Sequence, residues 1–161
     1  METPFHQVNA WLRDLGNQYG MPLSLNEEGS CALIGDQDFE LEIFAQDACD
    51  HFFINIKIMD LPHGNRADIL YQAMTLNLFQ QETLGGSLAV DPKNESLMYC
   101  YSREIEQTTF SCFANIVGNL LDTASKLRDG LSQVEPTSFE GVPETMSPHD
   151  MTNMYAVINY A

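Results

Sequence analysis

Apolar residues near the N-terminus recur every three or four positions, which places them along one face of an α-helix. They are Phe5, Val8, Trp11, Leu12, Leu15 and Tyr19. Thr3 suits the N-cap of this helix and Pro4 its first turn. Gly20 and Pro22 are typical of the residues that follow a helix. The pattern therefore predicts an amphipathic helix over residues 4–19.

Beyond this helix the period changes to the alternation that is typical of β-strands. Four segments show it: residues 23–25, 31–34, 38–43 and 51–58. In the third segment the apolar side chains face one way and the carboxylates the other. Turn residues such as those at 26–29 separate the segments. The pattern predicts an antiparallel meander of short strands.

A second helix, predicted over residues 65–80, carries two apolar stripes. One stripe contains Leu70, Ala73, Met74 and Leu78, and the other contains Ile69, Ala73, Leu76 and Phe79. Because the sheet of so small a domain covers only one side, we expect the other side to meet a second subunit.

Two strands follow at residues 87–90 and 97–101, joined by a turn at 91–94. A third helix is predicted over residues 108–131, with its apolar side chains on one stripe and Gly118 at its middle. This glycine predicts a close packing contact.

The predicted order is α-β-β-β-β-α-β-β-α, which indicates an α+β sandwich of an antiparallel sheet and helices. We assign residues 1–131 to this domain. Residues 132–150 are rich in Pro, Ser, Thr and acidic residues, so residues 132–161 are predicted to form a flexible C-terminal tail. The apolar stretch at 151–161 is interpreted either as a short docking element or as a frayed end.

Charge is the anomaly of the composition. Seven Lys and Arg against 23 Asp and Glu give a formal net charge of −16, which disfavours nucleic acid and anionic membranes as partners. The 44% of hydrophobic residues excludes simple disorder. Four cysteines without a C-x-x-C pair, and an N-terminus without a secretory signal, predict reduced thiols in a cytoplasmic protein.

Catalytic and metal-binding motifs give no positive signal. The acidic series Asp36, Asp38 and Glu40 lacks the glycine that a calcium loop needs at its sixth position. The histidines show no i,i+3 or i,i+4 spacing, so we expect no metal site. Because the chain has no G-x-S-x-G motif and no cysteine in a polar, basic setting, we also expect no enzymatic activity and no cofactor. The two-sided helix and the alternating sheet favour a dimer that holds an extended peptide by strand addition and apolar pockets.

Three segments resemble a known family. They are Leu23-Ser-Leu25-Asn-Glu27-Glu-Gly29-Ser-Cys31-Ala-Leu33, then Leu61-Pro62, then Asn77-Leu78-Phe79 followed by Gly85-Gly86-Ser-Leu88-Ala-Val90-Asp91. Over residues 5–131 the order of these segments is similar to the class I chaperones of bacterial type III secretion, the family that includes the chaperone of the translocated intimin receptor.

The resemblance implies a cytoplasmic homodimer of α-β-β-β-α-β-β-α subunits without catalytic activity. Such a protein binds the N-terminal segment of a secreted effector, keeps it secretion-competent and helps deliver it to the export apparatus, whose ATPase is a further candidate partner. From position in this fold we assign effector binding to Val8, Trp11, Leu15, Leu33, Ile34, Phe39, Leu41 and Phe53. The dimer contact is assigned to Ile69, Ala73, Leu76, Leu97, Tyr99 and Tyr101.

Two alternatives stay open at this point. One is a regulatory or scaffold dimer of the same fold that binds a folded partner. The other is a small enzyme whose site is assembled in space, because a sequence pattern never excludes such a site.

Overall fold

A computed structural model describes residues 3–137 of the 161-residue chain. The tail predicted at 132–161 therefore lies mostly outside the described residues. The elements follow in chain order: α1 (Pro4–Tyr19), β1 (Ser30–Ile34), β2 (Glu40–Ala45), β3 (His51–Asp60), α2 (Arg66–Phe79), β4 (Ser87–Asp91), β5 (Ser96–Glu104) and α3 (Phe110–Ser132). The described part thus has the predicted α+β architecture, in the order that the family resemblance implies.

The five strands form one antiparallel sheet in the order β1-β2-β3-β5-β4. Helices α1 and α3 pack on one face of it. The apolar face of β3 supplies the centre of the core, with four side chains that are at most 1% exposed: Phe52, Ile54, Ile56 and Ile58. Trp11 of α1 joins the helices to this centre, since its ring packs 6.1 Å from Phe52 and 5.4 Å from Phe113.

The ends of the helices follow from local hydrogen bonding. The Thr3 hydroxyl accepts a hydrogen bond from the His6 N–H at 3.4 Å, and Gly20 ends α1 in the left-handed conformation with φ 68°. The Thr109 hydroxyl accepts from the Cys112 N–H at 3.3 Å, so α3 begins at Phe110, two residues after the predicted start.

The strand predicted at residues 23–25 is wrong. Leu23 and Leu25 are buried, but the Leu25 N–H donates to the Asn9 side chain of α1 at 2.9 Å and joins no strand. The segment packs on the core without pairing with a strand. Two alternating apolar residues give the same sequence pattern in a strand and in such an unpaired segment. Gln37 and Asp38 have φ values of 58° and 59°, so a 3₁₀ turn occupies Asp36–Asp38 and β2 begins later than predicted, at Glu40.

The segment between α2 and β4 is fixed by side-chain contacts. The Tyr99 hydroxyl donates to the Thr83 carbonyl at 2.7 Å, and its ring lies directly over Gly86. A Cβ atom at Gly86 would lie 2.4 Å from the Tyr99 ring, so this position excludes a side chain. The side-chain amide of Asn77, near the end of α2, donates to the Leu88 carbonyl in β4 and accepts a hydrogen bond from the Leu88 N–H.

The residues after α3 return to the start of α2. The Val134 carbonyl accepts a hydrogen bond from the Asn65 side chain at 2.6 Å. Both the N–H and the hydroxyl of Thr137 donate to the Asp68 carboxylate, and these bonds, the hydroxyl first, lower the pKa of Asp68. The boundary drawn between residues 131 and 132 stays a prediction.

Candidate binding surfaces

An apolar groove of about 550 Å³ lies between the C-terminal half of α1, the end of β1 and the middle of α3. Its floor consists of aliphatic and aromatic side chains: Leu15, Leu23, Leu33, Phe39, Val117 and Leu121. Exposed apolar side chains form its rim: Tyr19 at 71%, Met21 at 41% and Ile34 at 66% exposed. Surface apolar residues that cluster in this way mark binding sites more often than scattered ones do.

Gly118 keeps the groove open on the side of α3. A Cβ atom built there meets no atom within 4 Å, so the predicted close packing contact at this glycine is wrong. Two carboxylates also line the groove, Asp36 from the 3₁₀ turn and Asp122 from α3, one turn after Gly118. The groove therefore offers apolar side chains a floor and basic side chains two carboxylates at its sides.

The side chains predicted to bind an effector fall into three groups. Four of them line this groove: Leu15, Leu33, Ile34 and Phe39. Leu15 and Phe39, at 4% and 1% exposed, are also part of the core. Three are core positions, at most 4% exposed: Val8, Trp11 and Leu41. Phe53 lies on the opposite face of the sheet, where its ring stacks 4.9 Å from that of Phe44. In this structure, core side chains support the groove and offer no surface of their own.

Sequence reasoning missed several groove residues: Tyr19, Met21, Val117 and Leu121. Tyr19 belongs to the apolar stripe of α1, but the stripe does not show that its last member extends beyond the core. Val117 and Leu121 belong to the stripe of α3, and the part of that stripe left uncovered depends on where α1 ends.

The edge of β1 offers unpaired backbone groups beside the groove. Hydrogen bonds from Ala45 N–H to Gly29 and from Gly35 N–H to Phe39 set the alternation of the β1–β2 ladder. The backbone groups of Ser30, Ala32 and Ile34 consequently point away from β2. Asn26 bonds both backbone groups of Ser30, whereas Ala32 and Ile34 lie exposed at the sheet edge.

The opposite edge of the sheet is capped at its centre. The Leu88 N–H of β4 donates to the Asn77 side-chain oxygen at 2.7 Å, and the Asn77 amide donates to the Leu88 carbonyl at 3.0 Å. The amide thus occupies the position that an incoming strand would use. Of the two sheet edges, β1 is therefore the more open to strand addition.

Helix α2 exposes a separate apolar stripe. Tyr71, Met74 and Leu78, at 75%, 72% and 76% exposed, follow helical spacing on its outer side. Four residues predicted for the dimer contact are instead at most 3% exposed within the subunit: Ile69, Ala73, Leu97 and Tyr99. Leu76 and Tyr101 are partly buried. Of the residues in the two predicted stripes, Ile69 and Ala73 face the core and Leu70 and Leu76 pack partly against it, whereas Met74 and Leu78 face outward beside Tyr71.

Burial affects two of the cysteine thiols near these surfaces. Burial raises the pKa of the Cys31 and Cys100 thiols, which lowers their reactive thiolate fraction. The described residues contain no helix that is both long and apolar enough to cross a bilayer.

The comparisons with known proteins agree with this architecture. The model of the Tir chaperone protein (CesT) family matches residues 10–128. The chain belongs to the Tir chaperone family. No curated protein sequence matches it.

Solved structures of the same fold include chaperone complexes. A chain of the ExsC–ExsE complex is similar with a TM-score of 0.73 and 20% identity, over 84% of this chain and 98% of that chain. A chain of the HopA1–SchA chaperone–effector complex is similar with a TM-score of 0.61 and 19% identity, over 76% of this chain and 94% of that chain. A chain of the Yersinia pestis type III secretion chaperone SycH in complex with a stable fragment of YscM2 is similar with a TM-score of 0.56 and 19% identity, over 74% of this chain and 98% of that chain.

Proposed function

We propose that this Tir chaperone family member binds the N-terminal segment of a type III secreted effector in the bacterial cytoplasm, keeps it secretion-competent and delivers it to the export apparatus. One observation carries the residue-level proposal. The apolar groove and the open β1 edge meet at Ile34, which lines the groove and whose backbone groups point away from β2.

The two surfaces divide the work of recognition. An extended segment pairs its backbone with Ala32 and Ile34, which gives affinity with little demand on sequence. Its apolar side chains enter the groove, whose volume of about 550 Å³ accommodates several of them. A chain bound in this way has no fold of its own, so the apolar area that it buries must offset the cost of ordering it.

The negative charge of the chaperone mainly affects the rate at which an effector segment associates, and has less effect on how tightly it is held. The net charge of −16 and the carboxylates of Asp36 and Asp122 attract basic segments and raise their association rate. Because apolar burial holds the bound chain, salt weakens the complex only modestly.

The outer stripe of α2, defined by Tyr71, Met74 and Leu78, is the proposed contact with a second copy of the chain. Three exposed large apolar side chains on one helix face are an aggregation liability in a monomer. A homodimer covers them, and obligate interfaces bury roughly 2,000 Å² or more in total. In this proposal effector delivery proceeds by binding alone, without catalysis, and the secretion ATPase is a further proposed partner.

The groove is tested by filling it. Gly118→Trp places an indole in open space on α3, and Gly130→Trp places one at an open position near the end of the same helix, outside the groove. We expect the first variant to bind the isolated effector N-terminal segment at least tenfold more weakly by calorimetry, and the second to bind like wild type. Unchanged binding by Gly118→Trp would contradict the groove assignment.

The edge is tested by removing one backbone donor. Ala32→Pro deletes an outward N–H that bonds nothing in the β1–β2 ladder, and Ala32→Ser retains it. Weaker effector binding by the proline variant alone supports strand addition. The effector is identified by pull-down from the native host. Capture of a folded protein whose isolated N-terminal segment does not bind would favour a regulatory dimer instead.

A further inference from the structure

The turn between β2 and β3 brings three metal-ligating side chains together. One ligand atom from each of Cys49, Asp50 and His51 lies within 4.8 Å of the other two. Sequence spacing conceals this cluster, because helical i,i+3 or i,i+4 pairs are the usual signal for adjacent ligands. Here the three residues are consecutive, and the shape of the turn decides where they point.

Local hydrogen bonds fix that shape. The Cys49 N–H donates to the Gln46 carbonyl at 3.0 Å, which closes a turn just before β3. In a regular strand Asp50 would point away from its two neighbours. The bend at Asp50 returns its carboxylate to His51, so that Asp50 Oδ1 lies 2.7 Å from His51 Nδ1.

Neighbouring strands hold the cluster in place. The Ile105 N–H, after the end of β5, donates to the Asp50 carbonyl at 2.8 Å. The His51 ring packs 6.5 Å from the Phe53 ring, and His51 stands opposite Glu104 in the β3–β5 ladder. Cys49 and His51 are half-buried and Asp50 is exposed, so a dissolved ion reaches the site directly.

The donor set selects the class of ion. A thiolate, an imidazole and a carboxylate suit Zn²⁺, whereas Mg²⁺ and Ca²⁺ take oxygen ligands. Ligands of tetrahedral zinc lie roughly 3.3–3.8 Å apart, given metal–ligand bonds of about 2.0–2.3 Å. All three ligand atoms lie within 4.8 Å of one another, and a bound ion would replace the 2.7 Å hydrogen bond between Asp50 and His51 with two metal–ligand bonds.

We propose that Cys49, Asp50 and His51 form a three-ligand binding site for Zn²⁺, with the fourth position open to water. The ion would bind where the Asp50 carbonyl already links the β2–β3 turn to Ile105 after β5. The apolar groove lies at the other end of the β1–β2 hairpin, near Gly35. Metal binding is therefore measured independently of effector binding.

The competing arrangement is a surface Asp50–His51 hydrogen bond in which Cys49 takes no part. Co²⁺ in place of Zn²⁺ distinguishes the two, because a cobalt–thiolate bond gives a charge-transfer absorption in the near ultraviolet that oxygen and nitrogen ligands do not give. We expect the reduced full-length protein to develop this band with one equivalent of Co²⁺, and Zn²⁺ to abolish it.

Matched variants locate the ligands. Cys49→Ser should remove the band, and His51→Gln should weaken Co²⁺ binding at least tenfold. Cys112→Ser and His63→Ala alter a cysteine and a histidine outside the cluster and should leave the titration unchanged. Circular dichroism checks that each variant is folded. The proposal is overturned if the wild type gives no thiolate band, if the band survives in Cys49→Ser, or if Cys112→Ser loses it.

Discussion

The guanidinium carbon of Arg128 lies 3.5 Å from the centre of the Phe39 ring. The same group donates from Nε to the Ile58 carbonyl at 2.7 Å and from a terminal nitrogen to the Gln37 carbonyl at 3.2 Å. One side chain of α3 thereby fixes the 3₁₀ turn before β2, an irregular part of β3 and an aromatic ring in the floor of the groove.

Replacing Arg128 by lysine should cost stability although the charge is kept. An ammonium group cannot donate to both carbonyl oxygens in this planar arrangement while stacking on Phe39. We expect the free energy of unfolding to fall by about 1–3 kcal/mol in urea titrations. Lys126→Ala, at an exposed position of the same helix, should change it by less than about 0.5 kcal/mol. Equal stability of Arg128→Lys and wild type would show that the stacked geometry contributes nothing.

Asn77→Ala should destabilise the protein more than its small loss of volume suggests. The variant leaves the N–H and the carbonyl of Leu88 without their partner, and Leu88 is only 7% exposed. The expected loss is about 1–3 kcal/mol, against little change for Asn17→Ala on the exposed side of α1. Thermal unfolding measures both.

The same variant tests the role of Asn77 at the sheet edge. Without the amide cap, the β4 edge presents free backbone groups, and light scattering should detect association that rises with protein concentration. An Asn77→Ala protein that remains as dispersed as wild type would show that the amide does not protect this edge.

The dimer proposal predicts different outcomes for charged substitutions at two residues of α2, Met74 and Ile69. Met74→Asp places a charge on a side chain that is 72% exposed in the subunit, so it should yield a folded monomer. Ile69→Asp buries a carboxylate at a position that is 1% exposed, so it should unfold the subunit. Light scattering gives the mass, and circular dichroism gives the folded state. A Met74→Asp protein that remains dimeric would place the interface elsewhere.

Alkaline pH should weaken the fold through Tyr99. Burial raises the pKa of this phenol from 10.0 to about 12. The folded state therefore retains a proton that the unfolded chain releases above pH 10. The contribution of Tyr99 is complete below pH 10 and is lost as the pH rises to about 12, by about 3 kcal/mol in all.

The control for this loss is Tyr99→Phe. It lacks the hydrogen bond to Thr83 and should be less stable at neutral pH. Its stability should nevertheless decline less steeply above pH 10, so the two curves should converge. Parallel curves in urea titrations across this range would show that Tyr99 does not titrate with folding.

The hydrophobic periodicity of the sequence predicts a helix or strand well where the other local signals, such as caps and glycines, agree with it. Residues 4–19 carry a cap, an apolar stripe and a terminal glycine, and α1 has the predicted bounds. The rule fails at Leu23 and Leu25, because burial beside a helix and burial in a strand produce the same alternation. It also fails at Asp38, where a left-handed backbone conformation interrupts an otherwise perfect strand pattern.

The candidate surfaces are harder to predict than the elements. Two apolar stripes on α2 are visible in the sequence, but only packing decides that Ile69 faces inward and Met74 outward. Gly118 is equally ambiguous, since a missing side chain either admits a close neighbour or leaves a space. Such choices depend on which elements lie opposite one another, and a single sequence does not record that.

In the proposed complex, the meeting of the groove and the strand edge at Ile34 also determines how the bound effector segment is released. In that complex Ala32 and Ile34 would bind the chain along an outer edge, so a pull from one end would break the backbone hydrogen bonds one at a time. Sliding the chain along the edge would require all of them to break together. The proposed geometry therefore combines affinity at rest with release by a small force that pulls one end of the chain away from the edge.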